Sequence, residues 1–143
     1  MYENYTRQSL PERYYRELLG SAVCVFNSNN GFIIENILKI NSEDYNWHNL
    51  IDKTSGNITN IVKKEISSKC GDEIEKLFSE LVNERNRIVH SFRITNGNDE
   101  QVLATKAKEK DGNKQFEITE EYLLNFIKKN EKLSDLLYEL RGC

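Results

Sequence analysis

The residues of this chain best suited to acid–base and phosphate chemistry are Arg85, Asn86 and His90. His90 is one of only two histidines, and it is the one with arginines close by. A histidine titrates near neutral pH and can take or give a proton during a reaction. An arginine stays charged and holds two phosphate oxygens with its planar guanidinium. These groups suit cleavage of RNA by its own 2′-hydroxyl, which needs a base, an acid and a positive charge but requires no metal.

A helix that ends near these residues must position them. Its apolar residues recur at three- and four-residue steps: Ile74, Leu77, Phe78, Leu81 and Val82. The next position of that stripe is Arg85, and an arginine there lies at the edge of the buried surface or is buried against a partner. Residues five apart on an unbroken helix point about 140° away from each other. Arg85 and His90 therefore meet only if the helix ends or distorts between them, or if a second copy supplies one of the two groups.

The spacing of Arg85, Asn86 and His90 resembles the signature of the HEPN superfamily, which contains helical RNA-processing and toxin proteins. The resemblance implies a metal-independent endoribonuclease that acts as a homodimer, with two such motifs lining one cleft at the interface. It implies Arg85 and His90 as the catalytic pair, Asn86 as the supporting polar residue, and no cofactor. The partners it implies are RNA, a second copy of the chain and an antitoxin or defence-system protein, since such enzymes serve in toxin–antitoxin and phage-defence systems.

The residue two positions after His90 differs from the one found in a subgroup of this family. HEPN toxins that are paired with nucleotidyltransferase antitoxins usually carry a tyrosine two residues after the histidine, where the antitoxin modifies it. This chain has Phe92 at that position. The resemblance therefore does not extend to control by that modification, whereas toxin or phage-defence activity remains compatible with it.

Positive charge is concentrated in the motif and the segment that follows it. The whole chain has a net charge of −3, but residues 85–114 include seven basic and four acidic residues, a net +3, which leaves −6 elsewhere. A local basic surface can meet phosphates, and Arg87 and Arg93 are its candidate substrate contacts. The same pattern is also typical of a solvated, lysine-rich hairpin.

Two interpretations without catalysis remain open. The chain could be a non-catalytic HEPN-like module that binds RNA or a partner protein, which its overall acidity and the absent tyrosine favour. It could also be a purely helical dimerisation domain, in which Arg85 and Arg87 only favour the dipole of the helix C-terminus and His90 lies near its cap. His48, beside Trp47, is interpreted as a packing or surface histidine.

The length indicates a single domain over residues 1–143, long enough to bury a core, and the resemblance implies that this domain is HEPN-like. Hydrophobic residues make up 38% and charged residues 30%, as in ordinary globular proteins. No apolar run approaches the roughly 20 residues that span a bilayer. The N-terminus has no signal-peptide pattern, so we expect a cytoplasmic protein without a membrane partner.

Three cysteines without Cys-x-x-Cys spacing predict reduced thiols, with Cys24 in the core and Cys143 at the frayed end. A zinc site needs four clustered ligands. Three distant cysteines and two histidines do not predict one, so no structural metal is expected.

The first helix is expected to start near Ser9, with Pro11 in its first turn. The run Asn27-Ser28-Asn29-Asn30 precedes Gly31, and we favour a break or bend there. The alternative is a helix that continues to Ile40, because the apolar stripe continues that far.

Two further helical segments precede the helix that carries the motif. A short helix over Tyr45–Lys53 follows the cap cluster Asn41–Asp44, and an amphipathic helix begins near Ile58 and ends by Gly71. Asp72 is the predicted cap of the helix that carries Arg85.

After Phe92 the pattern changes to that of strands, at residues 92–95, 101–108 and 114–119. Asn96-Gly97 and Asp111-Gly112, dipeptides favoured in tight hairpin turns, separate them. Thr119 is the predicted cap of a last helix. The fold class is therefore mainly α: an antiparallel helical bundle with a small β-hairpin or meander inserted before the C-terminal helix.

Overall fold

The architecture is taken from a computed structural model, of which residues 2–141 are described here. The chain is mainly helical, with a three-stranded antiparallel sheet before the C-terminal helix, as predicted. The elements in chain order are α1 (Arg13–Ile40), α2 (Trp47–Ile51), α3 (Ser55–Val62), α4 (Ser68–Cys70), α5 (Glu73–Val89), β1 (Phe92–Thr95), β2 (Gln101–Lys106), β3 (Gln115–Ile118) and α6 (Glu120–Arg141).

The predicted break of the first helix near Gly31 is wrong, and α1 continues to Ile40. Its apolar residues on both sides of Gly31 are buried in one core, including Phe26 and Ile33. Glycine in a helix interior costs only about 1 kcal/mol relative to alanine. Burial of these apolar side chains stabilises the helix by more than that. The start is also later than expected, because α1 begins at Arg13 and Pro11 lies before it.

Side-chain caps define the short helices that follow α1. Asn46 Oδ1 accepts a hydrogen bond from Asn49 N at 2.9 Å at the start of α2, so Asn46 is the cap and the predicted Asn41–Asp44 cluster lies before it. Thr54 Oγ1 accepts from Asn57 N at 3.3 Å at the start of α3. A π-helical turn, Lys63–Ser67, joins α3 to α4. The chain leaves α4 through Gly71, at φ +87° and ψ 179°.

The core lies between α1, α5 and α6. The ring of Phe26 on α1 stacks on those of Phe78 and Phe126, at 6.0 and 6.1 Å between centroids. The predicted apolar stripe of α5 faces this core. Asp72 occupies the N-cap position of α5, as predicted, although its side chain makes no capping hydrogen bond.

The bundle is not antiparallel throughout, because α1 and α6 run parallel. Tyr15 near the start of α1 contacts Ile118 just before α6, while Lys39 near the end of α1 contacts Arg141 at the end of α6. The sheet between α5 and α6 returns the chain to the end at which α1 begins. Between these parallel helices, Asn29 Nδ2 donates to the backbone oxygen of Asn130 at 2.7 Å.

The sheet has the order β1-β2-β3. Asn96-Gly97 does not form the expected tight turn, because β1 and β2 are joined by the longer loop 96–100, in which Asn96 Oδ1 accepts from Asn98 N and Glu100 N. Gly112 follows a 3₁₀ turn with φ +89°. Thr119 caps α6, since its Oγ1 accepts from Tyr122 N at 3.0 Å.

Cys24 is exposed, so its predicted place in the core is wrong. The buried face of α1 includes Ala22 and Phe26, and Cys24, two residues from each, lies on the opposite face of the helix. The predicted position of Cys143 lies outside the described residues. Within residues 2–141, none of the helices combines the length and the apolar character needed to cross a membrane.

Candidate functional site

The motif residues lie where α5 ends. Arg85 directly precedes the last turn of the helix, which runs from Asn86 to Val89, and His90 is its C-cap residue with φ −96° and ψ 31°. The backbone N–H of His90 still donates to Asn86 O at 3.0 Å. Because the helix ends between them, the two side chains need not diverge as they would on a regular helix. Arg85, Asn86 and His90 all line one open cleft of ≈ 470 Å³.

Three elements form the walls of this cleft. The end of α5 forms one wall, the middle of α1 forms a second, and the α2–α3 connection forms the third. The lining residues are Phe26, Asn27, Asn30, Ile51, Lys53, Thr54, Ser55, Gly56, Arg85, Asn86, Val89 and His90. Within the described part of the chain, no carboxylate is among them, whereas Lys53 and Arg85 are cationic. The cleft therefore favours an anionic ligand.

Arg85 is held against the fold rather than extended into solvent. Its guanidinium carbon lies 4.9 Å from the centroid of the Phe26 ring, and its NH2 group donates to Ser55 Oγ at 2.9 Å. Its Nε is buried without a hydrogen-bond partner in the protein. Burial lowers the pKa of Arg85 from its ordinary value, but an arginine remains charged at neutral pH. The guanidinium is thus oriented in advance, with donors left over for a ligand.

His90 contrasts with Arg85, because its side chain is exposed at the cleft. Among residues 2–141, none forms a hydrogen bond with its imidazole. Both ring nitrogens are therefore open to a ligand or to solvent, as a group that transfers protons to or from a substrate requires. Asn86 is half-buried beside it.

The structure does not bring Arg87 and Arg93 to the cleft. Arg87 lies two positions after Arg85, which places it about 200° around the helix, and it donates to Lys106 O at 2.5 Å on β2. Arg93 on β1 donates to Ser9 O at 3.0 Å and to Gln101 Oε1 at 2.8 Å. Both arginines connect the sheet to neighbouring segments.

The sequence did not indicate the residues of α1 and of the α2–α3 connection that line the cleft. Asn27 and Asn30 lie in the run that is expected to break or bend the first helix, and Lys53 lies at the predicted end of the short helix Tyr45–Lys53. The signal that could have indicated them is the run of asparagines in the middle of α1, with apolar residues before and after it in the sequence. His48 does not line the cleft; its exposed ring lies edge-on to Trp47 at 5.9 Å.

A second groove, larger than this cleft, has the opposite electrostatic character. It has a volume of ≈ 620 Å³ and lies between the N-terminal segment, the sheet and the start of α6. Two arginines line it together with six acidic residues: Glu3, Glu12, Asp99, Glu100, Glu117 and Glu120. A phosphate chain would be repelled there, so the smaller cleft at Arg85 is the better candidate. When the chain is compared with protein-family models, with curated proteins and with solved structures, it matches none of them.

Proposed function

We propose that this chain is a metal-independent endoribonuclease of the HEPN type, which acts in the cytoplasm as a toxin or phage-defence effector. The observation that carries the proposal is the single cleft lined by Arg85, Asn86 and His90, with Lys53 nearby and no carboxylate on its described walls. The resemblance of the motif to the HEPN signature and the geometry of this cleft support the same chemistry.

The imidazole of His90 takes the proton of a ribose 2′-hydroxyl, and that oxygen attacks the adjacent phosphorus. The bond from phosphorus to the 5′-oxygen breaks, and the leaving oxygen receives a proton, so the products are a 2′,3′-cyclic phosphate and a 5′-hydroxyl. Arg85 stabilises the negative charge of the five-coordinate transition state with its fixed guanidinium. Asn86 orients the imidazole or donates to a phosphate oxygen.

A homodimer would supply both a base and an acid, one His90 from each copy. Three exposed apolar residues, called here the apolar rim, support this arrangement. Ile51 and Val89 line the cleft and are 38% and 53% exposed, and Phe92, which follows His90 by two positions, is 43% exposed. A second copy that covers them would also close the cleft against bulk water and strengthen its electrostatics. An antitoxin or another defence-system protein would bind the same apolar rim to block the site.

The test is cleavage of single-stranded RNA by the purified protein in the presence of a chelator. We expect His90→Ala to lower the rate about 10²- to 10⁴-fold, as loss of a general acid–base group does, and Arg85→Ala to lower it comparably. His48→Ala is the matched control, since it removes the other histidine, which lies outside the cleft. Circular dichroism spectra of all variants verify that they are folded. Equal cleavage by the wild type and both cleft variants would rule out the proposal.

The second candidate is a non-catalytic module that binds RNA or protein through the same cleft. The exposed rim of Ile51, Val89 and Phe92 favours it, because such a rim suits a protein partner with or without chemistry. This function predicts binding but no cleavage product, and an affinity that falls with salt if the ligand is RNA. A helical domain that serves only for dimerisation would neither bind nor cleave RNA.

A further inference from the structure

Two buried polar atoms on different walls of the cleft have no partner within the protein. They are Oδ1 of Asn30, on α1, and Nε of Arg85, on α5. Native proteins rarely leave such atoms unpaired, because an unpaired buried donor or acceptor is unfavourable. The other orphaned side-chain atoms of the described chain belong to residues that do not line this cleft. The cleft thus combines one unpaired acceptor with one unpaired donor.

The two residues that carry these atoms are neighbours in the fold. Phe26 and Asn30 are one turn apart on α1, which places their side chains next to each other on one face of the helix. The guanidinium carbon of Arg85 lies 4.9 Å from the centroid of the Phe26 ring. Asn30 is therefore a neighbour of the residue on which Arg85 rests.

The neighbouring residue Asn29 belongs to a hydrogen-bond network between α1 and α6, and Asn30 does not. Asn29 is buried and fully used: its Nδ2 donates to Asn130 O and Oδ1, at 2.7 and 3.1 Å, and its Oδ1 accepts from Ser134 Oγ at 2.9 Å. These bonds hold α1 to α6. Asn30 takes no part in them.

We propose that Asn30 and the Nε of Arg85 form a subsite that recognises a ribose 2′-hydroxyl of the bound strand. A hydroxyl both donates and accepts, so it can donate to Asn30 Oδ1 and accept from Arg85 Nε. A phosphate oxygen only accepts and leaves Asn30 unpaired. On a base, no single exocyclic atom does both. The inference rests on the proposed function, because it assumes that the ligand is RNA.

The recognised hydroxyl belongs to a nucleotide that flanks the scissile phosphate. The attacking hydroxyl must direct its one proton at the base, His90, and cannot donate it to Asn30 at the same time. Asn30 is therefore a specificity-determining residue for ribose, separate from the proton-transfer chemistry. The 2′-hydroxyl is the group by which a protein distinguishes RNA from DNA at one position.

The experiment compares the dissociation constants of an RNA oligonucleotide and its 2′-fluoro counterpart, which cannot donate from the 2′ position. All proteins carry His90→Ala to prevent cleavage. With Asn30 present, we expect the 2′-fluoro strand to bind about threefold to tenfold more weakly, as the loss of one hydrogen bond predicts. With Asn30→Leu, both strands should bind alike, at the weaker level. Asn27→Leu, on the same wall, is the matched control and should keep the preference for RNA.

Thermal unfolding separates recognition from a structural role. Asn30→Leu removes no hydrogen bond and should leave the melting temperature unchanged or higher, whereas Asn29→Leu should lower it. A lower melting temperature for Asn30→Leu with an unchanged RNA preference would overturn the inference. So would a preference that depends on base sequence rather than on the 2′ group. If the wild type cleaves RNA and Asn30→Leu keeps the ribose preference, only this inference fails; if the wild type neither binds nor cleaves RNA, the proposed function fails as well.

Discussion

The guanidinium of Arg85 lies over the ring of Phe26, 4.9 Å from its centroid. Phe26 is itself fixed, because it stacks between Phe78 and Phe126 in the centre of the core. The motif arginine is therefore supported by the packed centre of the core, although it lies near the end of a helix. A rigid support of this kind reduces the reorganisation that a charged group undergoes when a transition state forms.

Arg85→Lys should lower kcat/KM for RNA cleavage by about 10²-fold, as loss of a fixed donor to a developing charge does. Lysine keeps the positive charge but lacks the planar fork, and it stacks less well on an aromatic ring. We expect the free energy of unfolding to change by about 1 kcal/mol or less, since the cation–π contact is partly exposed. Cleavage kinetics and urea unfolding measure the two effects. Arg87→Lys is the control, because Arg87 lies outside the cleft; a comparable loss of activity in that variant would contradict the assignment.

Val89→Asp and Phe92→Asp should each weaken self-association about tenfold or more, because a charge would be buried in an apolar contact. Cleavage activity should fall in parallel, since the second copy completes the site. Analytical ultracentrifugation over a concentration series measures the association. Leu124→Asp changes an exposed apolar residue on α6 outside the cleft and should have no effect. A protein that is monomeric at all concentrations yet fully active would disprove the dimeric site.

Ionisation of Tyr122 should lower the free energy of unfolding at alkaline pH. Burial, and secondarily the negative charge of Glu84, raises the pKa of Tyr122 to about 12. An unfolded tyrosine ionises near pH 10, so both states are neutral below that pH and stability is unaffected there. Between about pH 10 and 12 only the unfolded state ionises, and the free energy of unfolding should fall by about 2 kcal/mol, allowing for the partial exposure of the ring.

Urea denaturation at several pH values, in the wild type and in Tyr122→Phe, tests this effect. The variant cannot ionise at this position, so the stability of the wild type relative to the variant should decline as pH rises from 10 to 12. Tyr15, whose pKa is also raised by burial, is present in both proteins and cancels in the comparison. A difference that stays constant across this range would show that Tyr122 does not control the decline.

Gly31→Ala should stabilise the protein by about 0.5 to 1 kcal/mol, because Ala is the better residue in a helix interior. Gly31 lies inside α1, and a Cβ atom there meets nothing within 4 Å. Gly71→Ala is the contrasting variant, since Gly71 has φ +87° and ψ 179°, a region that is essentially restricted to glycine. That change should destabilise by about 1 to 3 kcal/mol. Thermal unfolding of both variants measures the signs, and destabilisation by Gly31→Ala would contradict a continuous α1.

Local patterns in the sequence determined most of the secondary structure. The apolar stripe of α5, the cap at Thr119 and the change to a strand pattern after Phe92 are encoded within a few residues of where they act. Such signals fail where tertiary burial outweighs a local preference. Asn27–Gly31 reads locally as a helix end, but Asn29 is paired with Asn130, which lies far away in sequence, and the helix continues.

The sequence by itself determined which residues of α5 carry the candidate chemistry, because Arg85, Asn86 and His90 are recognised by type and spacing alone. Only the tertiary structure decided which neighbours they meet. The walls that complete the cleft come from α1 and from the α2–α3 connection. Arg85 and Arg87 are two residues apart in the sequence, yet Arg85 lies over the ring of Phe26 and Arg87 donates to Lys106 O. The physical reason is that helical geometry directs residues two apart to opposite sides, and packing of the whole chain determines what each side meets.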